Sequence, residues 1–134
     1  MAANSSAKNH CVLVVDDDRD ICETLEMILG SQGYQVLTAS DGREALTRLR
    51  SGARPFLILL DLMMPGMNGM QFRQEQLRDP DLAHIPVVVI SGHAQVREMA
   101  LSMGVEKIEK PFDLGNLLES VHRFVPARLS GTRP

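Results

Sequence analysis

Short apolar runs alternate along this chain with stretches whose apolar residues recur every three or four positions. Cys11 to Val15 is an apolar, β-branched run and reads as a strand. Ile21, Leu25, Ile28 and Leu29 then share one helical face, and Gly30 and Gly33 are expected to stop that helix. Gln35 to Ala39 gives a second strand. Asp41-Gly42 turns into a helix carrying Ala45, Leu46 and Leu49 on one side. Pro55 precedes Phe56 to Leu60, a third and fully apolar strand of the kind covered on both faces. Pro65, Gly66 and Gly69 mark a loop before a weakly patterned helix over 69–78. Ile85 to Ile90 is a fourth strand, and Val96, Ala100 and Met103 mark a helix that ends at Gly104. A short fifth strand fits around Lys107 and Ile108. Leu114, Leu117, Leu118, Val121 and Val125 form the clearest amphipathic helix, which Pro126 ends.

Strands alternating with helices imply parallel pairing through right-handed crossovers. The pattern therefore predicts a three-layer α/β/α domain, with its functional groups gathered at the carboxyl ends of the strands. It leaves strand order open. Residues 1–9 are small and polar and read as a flexible tail.

Composition narrows the function. A chain of 134 residues holds one core without covalent staples. Its longest aliphatic and aromatic runs are too short to cross a bilayer, and its first residues lack the apolar stretch of a secretory signal. A formal net charge of −3 argues against a dedicated nucleic-acid surface. Cys11 and Cys22 cannot make a disulfide scaffold and fit free thiols in or near the core, in a reducing cytoplasm. No heptad or large apolar face argues for self-association, so a monomer is expected.

The predicted strand ends carry a consistent chemistry. The first runs into Asp16, Asp17 and Asp18, the third into Asp61, the fourth into Ser91 and the fifth into Lys110. Packed carboxylates repel, so their pKa values rise or a cation neutralises them. Aspartates without Cys or His partners favour a hard, oxygen-seeking ion, and Mg²⁺ is the natural candidate. Ser91 can hydrogen-bond an anion, and Lys110 can place a point charge on a phosphoryl group. Together these groups describe a phosphoryl-transfer site, in which a carboxylate can be the covalent acceptor. Plainer roles stand beside this one. Asp18 or Asp20 suits a helix cap. Met63, Met64, Met67 and Met70 suit gap-filling and loop packing. Arg123, Arg128 and Arg133 suit a solvated surface.

VLVVDDD at 12–18, LLDLMMPGMNG at 59–69, VVVISGH at 87–93 and EKPF at 109–112 resemble the motifs of a response-regulator receiver domain of two-component phosphorelay signalling. The match runs in order over about residues 10 to 125. The resemblance implies a flavodoxin-like fold with strand order 2-1-3-4-5. It implies that Asp61 accepts a phosphoryl group from a phosphohistidine on a histidine kinase or histidine phosphotransfer protein. Asp17 would bind Mg²⁺ directly and Asp16 mainly through water, with Asp61 and the backbone carbonyl of Met63 completing the protein ligands; Mn²⁺ would substitute. Ser91 would move to bond the new phosphoryl group, Lys110 would contact its oxygens, and Pro111 would follow a cis bond. Such a protein assists its own phosphorylation and dephosphorylation and turns over no external substrate. Its readout face would be built from residues 94–125, by protein contact or onward phosphotransfer.

The chain departs from the family pattern in places. Lys107 stands where an aromatic residue is usual, which puts the coupling of Ser91 to that position in doubt. Gly92 stands where alanine is commoner. His93 and Met63 occupy places that tune phosphate lifetime in the family. The residues after Pro126 are too few for an output domain, so the expected organisation is a tail over 1–9, a receiver domain over 10–125 and a tail over 126–134. Two alternatives remain: a receiver-shaped interaction module indifferent to phosphorylation, and a small haloacid-dehalogenase-type phosphatase with Asp16 as nucleophile. The second lacks that family's threonine, having Asp20 in its place, and has no room for a cap domain.

Overall fold

The structure is a computed structural model that describes residues 10–92, 96–110 and 112–126. The strands are β1 (Cys11–Val15), β2 (Gln35–Ala39), β3 (Leu57–Leu60), β4 (Val87–Ser91) and β5 (Glu106–Glu109). The helices are α1 (Arg19–Ser31), α2 (Gly42–Arg50), α3 (Gly69–Arg78), α4 (Val96–Met103) and α5 (Leu114–Arg123). All strand pairs are parallel, and the order is β2-β1-β3-β4-β5, the flavodoxin-like arrangement expected.

The apolar pattern explains this order. β3 and β4 are buried throughout, and β1 is buried apart from Cys11, because helices cover both faces of the sheet's centre. β2 and β5 carry polar residues and take the edges. One core layer joins the sheet to α2 through Ala45, Leu46 and Leu49, to α3 through Phe72, and to the end of α4 through Met103. The other joins it to α1 through Cys22, Leu25 and Leu29, and to α5 through Leu117 and Val121. Met64 is buried in the first layer and Met67 packs against it, as gap-filling predicts.

Four boundaries differ from the sequence reading. α1 runs through Gly30 to Ser31, because the space where a Cβ would stand at Gly30 is empty; the chain turns at Gly33, whose φ is 94°. β3 starts at Leu57, since Phe56 turns its ring onto His10 and Tyr34. β4 starts at Val87, since Pro86 has no N–H to offer the ladder. α5 ends at Arg123, short of Val125, where Phe124 and Val125 donate to Val121 and His122 across three residues. Leu114 lies on the predicted apolar face yet is exposed, at the first position of the helix.

Cys11 and Cys22 are both free thiols. Asp18 is the cap of α1 and accepts from the Asp20 N–H at 3.0 Å. Arg123 is not simply solvated: it pairs with Glu106 across the β5–α5 gap. The expectations for residues 1–9, His93, Pro111, Arg128 and Arg133 fall outside the described residues. Among the described residues, no helix is long and apolar enough to cross a membrane.

Candidate functional site

Three backbone bonds fix the residues just past the strand ends. The Asp16 N–H donates to Ala39 O at 3.0 Å, the Asp61 N–H to Val15 O at 2.9 Å, and the Lys110 N–H to Ser91 O at 3.0 Å. The sheet ladder therefore sets the backbone of all three ionisable residues, which suits a site that must be held in one geometry. Ser91 is the last residue of β4 and is buried.

Asp16, Asp17 and Asp61 converge, with one carboxylate oxygen of each within 4.8 Å of the others. Asp16 and Asp61 are buried and Asp17 is exposed. Asp16 has partners on both oxygens: the Asp18 N–H donates to Oδ1 at 2.9 Å, and the Lys110 ammonium donates to Oδ2 at 2.8 Å. The Met63 N–H donates to Asp61 Oδ1 at 3.2 Å. The Cys22 thiol donates to the Asp16 carbonyl at 3.3 Å and so supports the same corner from α1.

Burial drives the electrostatics. It pushes the Asp61 carboxyl up to about 6, and the neighbouring Asp16 charge adds to it; the Met63 N–H and Lys110 pull back, and Asp17 adds a further small rise. Burial pulls the Lys110 ammonium down. The hydrogen bond and charge of Asp16, with Asp61 and Asp18, outweigh it, so the net direction is up. The Cys22 thiol is pushed up to about 11 by burial and then by Asp16, which leaves it a poor nucleophile.

A groove of about 490 Å³ opens beside Asp16 and Asp17, between α1 and the end of β2, with Arg19, Glu23 and Glu44 on its walls. The oxygen-only donor set suits a hard divalent cation, and the exposed Asp17 gives it an entry side. Of the residues singled out in the sequence, the structure brings Asp16, Asp17, Asp61 and Lys110 into one cluster. Ser91 stands at the end of the adjacent strand. The Lys110 ammonium is bonded to Asp16.

Sequence reasoning missed Gly69 as a site residue. A Cβ there would stand 2.7 Å from the carbonyl oxygen of Asp61 and 2.7 Å from Leu62 Cα. The start of α3 thus rests directly on the backbone that carries Asp61. The signal was present in the loop glycine, but only the packed structure shows its neighbour.

Comparison with known proteins bears on this arrangement. The response regulator receiver domain model matches residues 12–122. A DNA-binding response regulator MtrA of Mycolicibacterium paratuberculosis is 34% identical over 113 residues, covering 82% of this chain and 48% of that protein. The response regulator MprA of Mycolicibacterium vanbaalenii is 39% identical over 111 residues, covering 80% of this chain and 46% of that protein. The chain thus spans about half the length of these curated relatives. The crystal structure of the chemotaxis protein CheY4 of Vibrio cholerae superposes with a TM-score of 0.77 at 30% identity, covering 86% of this chain and 98% of that one. A response regulator receiver protein of Pseudomonas putida superposes with a TM-score of 0.78 at 32% identity, covering 85% and 96%. With its parallel sheet, its acidic cluster at the strand ends and a family match over most of its length, the chain belongs to the response regulator receiver domains.

Proposed function

We propose that this receiver domain, over residues 10–125, is a phosphoacceptor switch whose acceptor is Asp61. The observation that carries the reading is the position of Asp61. It is buried at the carboxyl end of the central strand β3, within ligand distance of two further aspartates. Its carboxyl is raised only to about 6, so it is largely ionised and nucleophilic at neutral pH.

In the proposed reaction, an Asp61 carboxylate oxygen attacks the phosphorus of a phosphohistidine on a histidine kinase or phosphotransfer protein. A P–O bond forms, the P–N bond breaks, and the imidazole nitrogen leaves with the bonding pair. Asp17, Asp61 and the Met63 carbonyl are the proposed direct ligands of Mg²⁺, with Asp16 acting mainly through water because its own oxygens are engaged within the chain. When bound, Mg²⁺ supplies charge neutralisation to the carboxylates and the phosphoryl oxygens; Mn²⁺ is expected to substitute. Lys110 leaves Asp16 for the phosphoryl oxygens, and the Ser91 hydroxyl turns to donate to another. The domain thereby assists its own phosphorylation and dephosphorylation and turns over no external substrate. Output is proposed through the 94–125 face by protein contact or onward phosphotransfer, from a monomer that does not itself touch nucleic acid, in the cytoplasm.

The test is incubation with acetyl phosphate and Mg²⁺, followed by intact mass. A single Mg²⁺-dependent phosphoryl adduct that is absent from Asp61→Asn supports the reading. An adduct retained in that variant overturns it.

A further inference from the structure

The two edges of the sheet are built differently. β5 carries Glu106, Lys107 and Glu109 among its four residues, and charge on an edge strand discourages a further strand from pairing. β2 ends the sheet on the other side and carries neither a charge nor a proline. Two bonds fix the direction of its backbone. The Gln35 N–H donates to His10 O, and the Asp16 N–H donates to Ala39 O, both at 3.0 Å. Backbone groups alternate in direction along a strand, so Gln35, Leu37 and Ala39 face β1. Val36 and Thr38 therefore turn their N–H and C=O groups outward. Among the described residues, no strand pairs with that side.

Each face of this edge opens into a groove. Leu37 lines one of about 500 Å³, with Thr47, Arg48 and Ala53. Thr38 lines the other, of about 490 Å³, with Arg19, Glu23 and Glu26 of α1. Side chains alternate along a strand, so successive residues of a strand added beside β2 would enter the two grooves in turn. The first groove suits an apolar side chain. Leu37 and Ala53 supply apolar contact, and Arg48 is already paired with Glu44 at 3.4 Å. The second groove suits a cation. Glu23 and Glu26 are exposed, Arg19 alone opposes them on its walls, and Asp16 and Asp17 lie at its inner end.

We propose that β2 is a docking edge for an extended segment of a partner protein, whose backbone pairs with Val36 and Thr38 and whose residues alternate between apolar and basic. The main-chain bonds supply affinity, and the two unlike grooves supply register and specificity. The bound segment lies along the rim of the groove that leads to Asp16 and Asp17. This docking needs no phosphoryl group on Asp61 and stands apart from the 94–125 face.

The probe is a short end-capped peptide alternating valine with lysine, added to the ¹⁵N-labelled full chain. Its control carries glutamate in place of lysine. The expected result is a set of saturable shifts centred on residues 35–39. Exchange of the Val36 and Thr38 amides should slow severalfold, while that of Leu37, already directed at β1, changes little. The glutamate peptide should bind severalfold more weakly, and added salt should weaken the lysine peptide, because Glu23 and Glu26 are exposed. Val36→Pro removes one outward N–H and spares the β1 ladder, which an edge position permits, and it should weaken binding severalfold. Should β2 not tolerate proline, Glu23→Lys with Glu26→Lys changes only exposed positions of α1 and should reverse the preference toward the glutamate peptide. A valine–lysine peptide that leaves the Val36 and Thr38 amides unprotected overturns the proposal. Equal binding of the two peptides overturns it too, as does undiminished binding to folded Val36→Pro.

Discussion

The Lys110 ammonium lies 2.8 Å from Oδ2 of Asp16, a residue 94 positions away along the chain. The Asp16 side chain is fully buried and that of Lys110 is 21% exposed. This pair ties the end of β5 to the end of β1 across β3 and β4. Such pairs contribute little net stability, but removing one partner strands a buried charge. Lys110→Met should therefore lower stability by about 2 kcal/mol in EDTA, as read by urea unfolding. Added Mg²⁺ should recover part of that loss in the variant, since the stranded carboxylate gains a cation.

Asp61 works in the opposite direction. Its carboxyl is raised from 3.8 to about 6, so the folded protein holds this proton more tightly than the unfolded chain. Its ionisation then opposes folding in full above about pH 6, and the penalty fades as pH falls toward about 4. Asp61→Asn should accordingly stabilise the metal-free protein by about 1–2 kcal/mol at pH 7.5, allowing for repulsion shared with Asp16. Urea midpoints measured from pH 7.5 down to 4 in EDTA should show the gain shrinking to nothing. A gain that grows on acidification would contradict the assignment.

Gly69 and Gly30 should respond oppositely to alanine. At Gly69 the new Cβ meets backbone atoms of Asp61 and Leu62 at 2.7 Å, which cannot swing aside. Gly69→Ala should cost about 2–3 kcal/mol and lower the yield of the Asp61 adduct. At Gly30 no atom lies within 4 Å of the new Cβ, so Gly30→Ala should stabilise α1 by about 0.5–1 kcal/mol. Thermal melts of the two variants beside wild type check the pair.

Gln76 holds the segment between α3 and β4. Its side-chain amide is fully buried and donates to Leu82 O at 2.9 Å and Ile85 O at 3.0 Å. Gln76→Met should cost about 2 kcal/mol by removing both bonds, which leaves the Leu82 carbonyl with the Ile85 N–H at 3.1 Å and takes the side-chain donor from the Ile85 carbonyl. Faster amide exchange confined to residues 79–86 would locate the damage there.

Much of this molecule was legible in its apolar pattern. The runs Cys11–Val15 and Gln35–Ala39 became strands with those bounds, and the burial of β3 on both faces followed from its lack of any polar residue. The site aspartates were legible because a parallel sheet delivers the residues after its strands to one edge. The misses have local causes. Gly30 breaks helices only on average, and here it faces open space. Pro86 delays β4 by its missing N–H, a backbone property that hydropathy does not register. Lys110 bonding Asp16, and Gly69 resting on Asp61, depend on which ends of the chain meet, and no periodicity encodes that. Gln76 read as one more polar residue on a weakly patterned helix, yet it is buried because it serves two carbonyls.

The central claim is that Asp61 carries the phosphoryl group. The most direct measurement is to charge the protein with acetyl phosphate and Mg²⁺ and then reduce it with borohydride, which converts an aspartyl phosphate to homoserine. Peptide sequencing by mass spectrometry then locates the converted residue. Homoserine at position 61 alone is the predicted result. Homoserine at position 16 or 17 would contradict the account and move the nucleophile to the end of β1.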